Sequence, residues 1–280
     1  MPPTRTPTDT PLHERLLSQY GFGLFALPKY RPVELGDWRI RIHLPALGDG
    51  YLGASVMESR AVLTHRRRVW MSTCLLEQES HAWHVHCAHG TVVIAGLGMG
   101  MYTYAAAMKP EVERVIVADI SPDIIALMRH STGFDDWPCR DKVTLIEADV
   151  LAPDFAERIK ALLGETPIDY LYADIWPNFP ADEAPAQTAT MAQALQPRAA
   201  GWWGQELSFA RHCLDTEATL DETAFSAYVA GLGIPAPKIT AGYAAFAKDA
   251  AKANGIVAKS SFRQRLGIFF GRKRSLASRK

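Results

Sequence analysis

No two of the four cysteines stand in a C-x-x-C spacing, since Cys74, Cys87, Cys139 and Cys213 are scattered through 280 residues. That excludes a disulfide-stapled mini-domain and points to reduced thiols in a reducing compartment. No apolar run approaches the ~20 residues of a membrane-spanning helix, and the longest early one, residues 20–28, is short and carries two glycines. The first eleven residues are Pro/Thr-rich and lack the basic-then-apolar order of a secretion signal, the pattern of a loose tail on a cytoplasmic protein. Net charge is absent too, with Lys plus Arg and Asp plus Glu at 30 each. The balance hides an asymmetry, because Asp249 is the last acidic residue and nine Lys/Arg follow it. What is present is a composition of 48% hydrophobic and 21% charged residues, enough to bury a full core.

The chain divides by texture, and no internal repeat is found. Residues 1–32 read as a tail and lead-in, 33–89 as a small β-rich region with a connecting helix, 90–212 as the core, and 213–280 as a helical extension with a basic tail. In the second segment, short apolar pieces at 38–44 and 61–64 are separated by Gly-Asp and Gly-Asp-Gly turns, which predicts hairpins. From residue 91, four apolar β-branched runs recur at 91–95, 115–118, 143–146 and 168–173, with helix-length stretches between them. That alternation predicts a parallel sheet of βαβ units. Ser121-Pro122-Asp123 predicts a helix start after the second strand, with a capping residue ahead of a first-turn proline. A candidate fifth strand spans 201–210, and helical sequence from Asp221 is broken at 231–237.

Gly96, Gly98 and Gly100 follow directly on the first core strand and precede helix-like sequence. A backbone without Cβ atoms, leading into a helix with free N–H groups, is how an α/β sheet approaches a nucleotide-like ligand. Asp119 ends the second strand, 23 residues after Gly96, where a carboxylate can take both hydroxyls of a ribose or cap the helix near Pro122. Asp149 and Asp174 end the third and fourth strands. Any one of these aspartates is as readily a turn residue as a ligand, but four strand ends in register are much harder to explain that way. The dinucleotide fingerprint G-x-G-x-x-G would need a third glycine where Met101 stands, which disfavours a dehydrogenase.

VVIAGLGMG, VIVADIS, VTLIEAD and DYLYADIWP resemble the successive motifs of class I S-adenosylmethionine-dependent methyltransferases, and within them the spermidine-synthase-like branch. The likeness covers roughly residues 35–210 and implies a Rossmann-like methyltransferase fold, with a mostly parallel sheet preceded by a small N-terminal β region. It implies that Gly96, Gly98 and Gly100 wrap the amino-acid part of S-adenosylmethionine, that Asp119 holds the ribose and Asp149 the adenine amino group, and that Asp174 faces the reacting centre. The departures are specific. Ile94 stands where methyltransferases commonly have an acid, Met99 where polyamine synthases have Asp, and Asp174-Ile175-Trp176-Pro177 lacks their second carboxylate. A dicationic diamine needs such carboxylates. Methyl transfer to an unidentified acceptor therefore leads, with aminopropyl transfer and a non-catalytic nucleotide-binding protein as the alternatives.

Five potential metal ligands, His81, His84, His86, Cys87 and His89, crowd nine residues. On a helix they diverge, so the expectation is a partly exposed, histidine-rich helix and no metal. Glu77 and Glu79, just upstream, are either solvated or replace the acid missing at Ile94, with Glu77 the candidate cofactor contact. Trp176 is the candidate substrate contact, an aromatic face for a sulfonium or a substrate cation, whereas Trp202 and Trp203 are expected in the core. Arg66–Arg68 reads as a solvated edge. From Lys259, arginines and lysines alternate with Phe262, Leu266, Ile268, Phe269 and Phe270, a composition suited to nucleic-acid phosphates or an anionic membrane, or to a solubilising tail.

Overall fold

The computed structural model describes residues 11–43, 46–48, 50–51, 55–57 and 60–256; the first ten residues and the basic stretch from 257 lie outside it. The chain opens with α1 (Pro11–Tyr20), then β1 (Val33–Leu35), β2 (Trp38–His43), β3 (Ala46–Gly48), β4 (Ser55–Met57), β5 (Arg60–His65) and β6 (Arg68–Ser72). Strands β1-β2-β5-β6 form one antiparallel sheet in that order, and β3 pairs with β4. α2 (Leu75–Cys87) leads into the core: β7 (Gly90–Ala95), α3 (Met101–Ala107), β8 (Val112–Asp119), α4 (Pro122–Thr132), β9 (Val143–Glu147), α5 (Phe155–Leu163), β10 (Tyr170–Ala173), α6 (Ala184–Leu195) and β11 (Ala199–Trp202). Three helices close the described chain, α7 (Gln205–Asp215), α8 (Glu222–Leu232) and α9 (Ala241–Ala253).

The core sheet runs β11-β10-β7-β8-β9, with every neighbouring pair parallel. Val92, Val93, Ile94 and Ala95 of β7, Val115 to Ala118 of β8, and Leu171 to Ala173 of β10 are all buried, as helices on both faces of a parallel sheet require. The chain winds one way from β7 to β9 and the other way from β10, so the order reverses between β7 and β10. Ligands bind at such a switch point, outside the carboxyl ends of the strands. This is a Rossmann-like α/β fold behind a small antiparallel region.

Local capping signals start α4, α8 and α9. The Ser121 hydroxyl accepts the Ile124 amide at 3.3 Å with Pro122 at the first helical position, and Gly133, at φ +62°, ends α4. Asp221 and Thr240 cap α8 and α9 in the same way, through the Ala224 and Tyr243 amides. Two expectations need correction. The candidate fifth strand at 201–210 is only β11, because the left-handed Gly204 (φ +81°) turns the chain into α7. The segment taken as a lead-in contributes α1, whose Leu16 and Tyr20 are buried, with Phe22 just beyond it. Tyr20 packs edge-on against Phe246 of α9 and donates its hydroxyl to Asp249 at 2.6 Å.

Candidate active site at the switch point

Gly96, Gly98 and Gly100 all adopt positive φ, +94°, +50° and +74°. At Gly96 the reason is close approach, since a Cβ there would overlap the carbonyl oxygen of Asp174 at the end of β10. At Gly98 a Cβ would lie 2.5 Å from the Met71 sulfur, because Met71, near the end of β6, reaches over the loop and accepts the Met99 amide at 3.3 Å. A flexible thioether thus lies beside Gly98, where the backbone is free of Cβ atoms. Two open cavities of about 640 and 340 Å³ lie elsewhere, one beside Gln196 and Pro235, the other around His86 and Lys109.

Asp119 sits where the sequence put it, but with more internal partners than expected. One oxygen accepts the Leu97 amide of the glycine loop and the other the Ser121 amide, each at 2.9 Å. Burial raises its pKa, with the charge on Asp174 adding to the rise, while the loop amides oppose it. The helix cap proper is Ser121, so Asp119 braces the loop. Beyond it, Ile120 at the end of β8 is 68% exposed, and Leu151 just past β9 is 41% exposed. Both are large apolar side chains left in water just past adjacent strands, a feature that sequence reading missed; the signal available was an apolar residue within two positions of each aspartate. Asp149 is exposed and accepts the Leu151 amide at 2.9 Å.

Behind Asp174 stands α2, which differs from the partly exposed helix expected: ten of its thirteen residues are buried, among them Glu77, Glu79, His81 and His84. It is packed on the core through His81 and His84 against Tyr172 and Tyr170, and covered by Phe22 and Tyr243 against Trp83, contacts its own sequence does not announce. His81 Nε2 lies 3.4 Å from Asp174 Oδ2, its Nδ1 is 3.4 Å from the Ser80 hydroxyl, and Trp203 donates its indole N–H to that hydroxyl at 2.9 Å. His84 is held near Tyr170 at 2.8 Å, and burial lowers its pKa to about 3, so it is neutral. Only His86 and His89 of the histidines here are exposed, and among the described residues no group of His, Cys, Asp or Glu is arranged to hold a metal ion.

Two buried glutamates add to this centre. Glu77 accepts the Ser72 amide at 3.3 Å, and burial raises its pKa to about 7, a rise that His81 opposes and Asp174 reinforces. Glu206, in the first turn of α7, accepts the Tyr51 hydroxyl at 2.8 Å, and burial likewise raises it to about 7. Trp176 is largely buried and donates its indole N–H to Gln187 at 2.7 Å, and Trp202 and Trp203 are buried as expected.

A pH signature follows from Glu206. The native state holds its proton up to about 7 while the unfolded chain releases it near 4.5. The unfolded state therefore binds fewer protons in that window, and stability falls as pH rises through it. Glu206→Gln keeps an acceptor for Tyr51 and removes the charge. Its melting temperature should gain on that of the unaltered protein from pH 4.5 to pH 8, by at most about 3 kcal/mol in stability. A constant difference across that range would mean that the Glu206 carboxylate is not burdened by burial.

No protein-family model and no curated protein sequence matches the chain. Among solved structures it is similar to spermidine synthase in complex with the transition-state analogue AdoDATO, at 16% identity and TM-score 0.34, over 62% of this chain and 54% of that one. It is similar to spermidine synthase from Thermotoga maritima at 16% identity and TM-score 0.34, over 62% and 55% of the two chains. The methyltransferase domain of bacterial CtHen1-C is similar at 17% identity and TM-score 0.29, over 39% and 54%. The matched part of this chain spans about half the length of each of these structures.

Proposed function

We propose that the switch-point cleft binds S-adenosylmethionine and transfers its methyl group to an acceptor held near Asp174. The observation that carries the reading is what gathers at the carboxyl edge of the sheet: a loop with three glycines at positive φ, a carboxylate braced against it, and Ile120 and Leu151 exposed just past the adjoining strands. The loop and Asp119 suit the amino-acid and ribose parts of the cofactor, and the exposed Ile120 and Leu151 with Asp149 suit the adenine. Glu77 is the carboxyl group suited to stand in for the acid missing at Ile94. The bound sulfonium supplies an already activated methyl group. The protein's work is then to align the acceptor and accept one proton. Asp174 is suited to both, with His81 fixing its orientation, and Trp176 borders the same strand end.

A second reading, aminopropyl transfer to an amine, is supported by a single observation. Glu77, buried on α2 and coupled electrostatically to Asp174, is a second carboxyl group that the sequence motifs lack. Calorimetry with S-adenosylmethionine, its decarboxylated form and NAD separates the possibilities. The expected result is tightest binding of S-adenosylmethionine. Tighter binding of the decarboxylated form would favour aminopropyl transfer, and binding of NAD alone would end both readings.

A further inference from the structure

The antiparallel sheet carries a surface that the proposed chemistry does not use. Strands β5 and β6 are joined by a two-residue turn in which Arg66 and Arg67 both take positive φ, +47° and +70°. Turns of this kind are ordinarily made by Asn-Gly or Asp-Gly. Arg68 follows, and Arg39 and Arg41 lie exposed on the neighbouring β2. Glu34 pairs with Arg39 and Arg41, and Asp37 with Arg66 at 2.7 Å. Among the described residues, Arg67 and Arg68 have no ion-pair partner. On the same three strands sits a group of three rings. Trp38 stacks on His65 with centroids 4.3 Å apart, and Trp70 meets Trp38 edge-on at 5.4 Å. Trp70 is 41% exposed and its neighbour Val69 is 69% exposed, apolar groups left in water on an edge strand. An exposed apolar patch next to concentrated charge marks an interaction site.

We propose that this hairpin surface binds single-stranded nucleic acid. Arginines take phosphate oxygens through charge-assisted bonds, and an exposed indole offers a stacking face to any base. A duplex keeps its base faces stacked inside and gives Trp70 nothing to stack on. Pairing of β6 with a second copy of the chain is opposed by the charged Arg68 and by the register shift that breaks its pairing with β5. The position relates the surface to the cleft. Met71 directly follows Trp70 and touches the glycine loop through its sulfur, so the ring group lies one residue along β6 from that contact. The inference concerns binding and stands apart from which group the cleft transfers.

The test is fluorescence anisotropy with the full-length protein and a labelled single-stranded oligonucleotide of mixed sequence, across a salt series. Replacing Arg66, Arg67 and Arg68 together by Glu should weaken binding by at least about tenfold and flatten its salt dependence. Trp70→Ala should weaken it by about tenfold with the salt dependence preserved. All four positions are exposed, and an unchanged melting temperature checks that each variant is folded. The inference is overturned if both variants bind like the unaltered protein, which would assign binding to the basic C-terminal stretch. It is equally overturned if no oligonucleotide binds, if duplex of the same sequence binds as tightly, or if anionic lipid vesicles alone show the hairpin dependence. Calorimetry with S-adenosylmethionine on the same variants keeps the two proposals apart: hairpin-dependent oligonucleotide binding without cofactor binding supports this one and removes only the methyl-transfer reading.

Discussion

Gly96→Ala is expected to lower stability by about 3 kcal/mol or more, a fall in melting temperature of roughly 6 to 12 °C for a chain of this size. Two costs combine. A side chain at φ +94° is strained by about 1–2 kcal/mol, and its Cβ would overlap the Asp174 carbonyl oxygen, which is fixed because the Asp174 amide donates to Ala95 at 2.8 Å. Backbone cannot yield as a side chain can, so the overlap adds about 1–3 kcal/mol. Gly98→Ala is the matched comparison. Its φ of +50° lies in the ordinary left-handed region, and its Cβ meets only the sulfur of the flexible Met71. A loss of about 1 kcal/mol is expected there. Thermal melts of the two variants decide the matter, and equal losses would show that β10 does not wedge against the glycine loop.

Asp119→Ala should weaken both stability and S-adenosylmethionine affinity. The carboxylate accepts the Leu97 and Ser121 amides, and an amide stripped of its partner in a partly buried position costs about 1–3 kcal/mol. A stability loss of about 2 kcal/mol is expected. In the proposed complex the same oxygens accept the ribose hydroxyls, so affinity should fall at least tenfold, about 1.4 kcal/mol. Asp119→Asn keeps one oxygen acceptor and should lose less of each. The two effects separate in calorimetry and melting on one preparation. Intact affinity with lowered stability would leave Asp119 as a brace of the loop alone.

The core was legible because its signals are local. Four apolar runs at regular spacing, glycines after the first, and a capping Ser121 ahead of Pro122 dictate strand, turn and helix without reference to distant parts of the chain. The aspartates at the strand ends were legible for the same reason: strand direction fixes which edge they share. Local sequence also marked the Arg66–Arg68 run, although not the rings beside it. Trp38, His65 and Trp70 come from three strands, and only their pairing gathers them.

By itself, then, the sequence determined the first four core strands, the helix after the second of them, the glycine loop and the row of aspartates, since each depends on backbone preferences and apolar periodicity within a few residues. Tertiary structure alone decided what surrounds them. It buried α2, turning Glu77 and His81 from apparent surface groups into neighbours of Asp174, and it laid Met71 across the glycine loop from a strand some 30 residues earlier. It gave Asp119 two internal amides to hold. Burial and proximity between segments far apart in the chain arise only when the antiparallel sheet, α2 and α7 close on the sheet edge, and no window of sequence contains that contact.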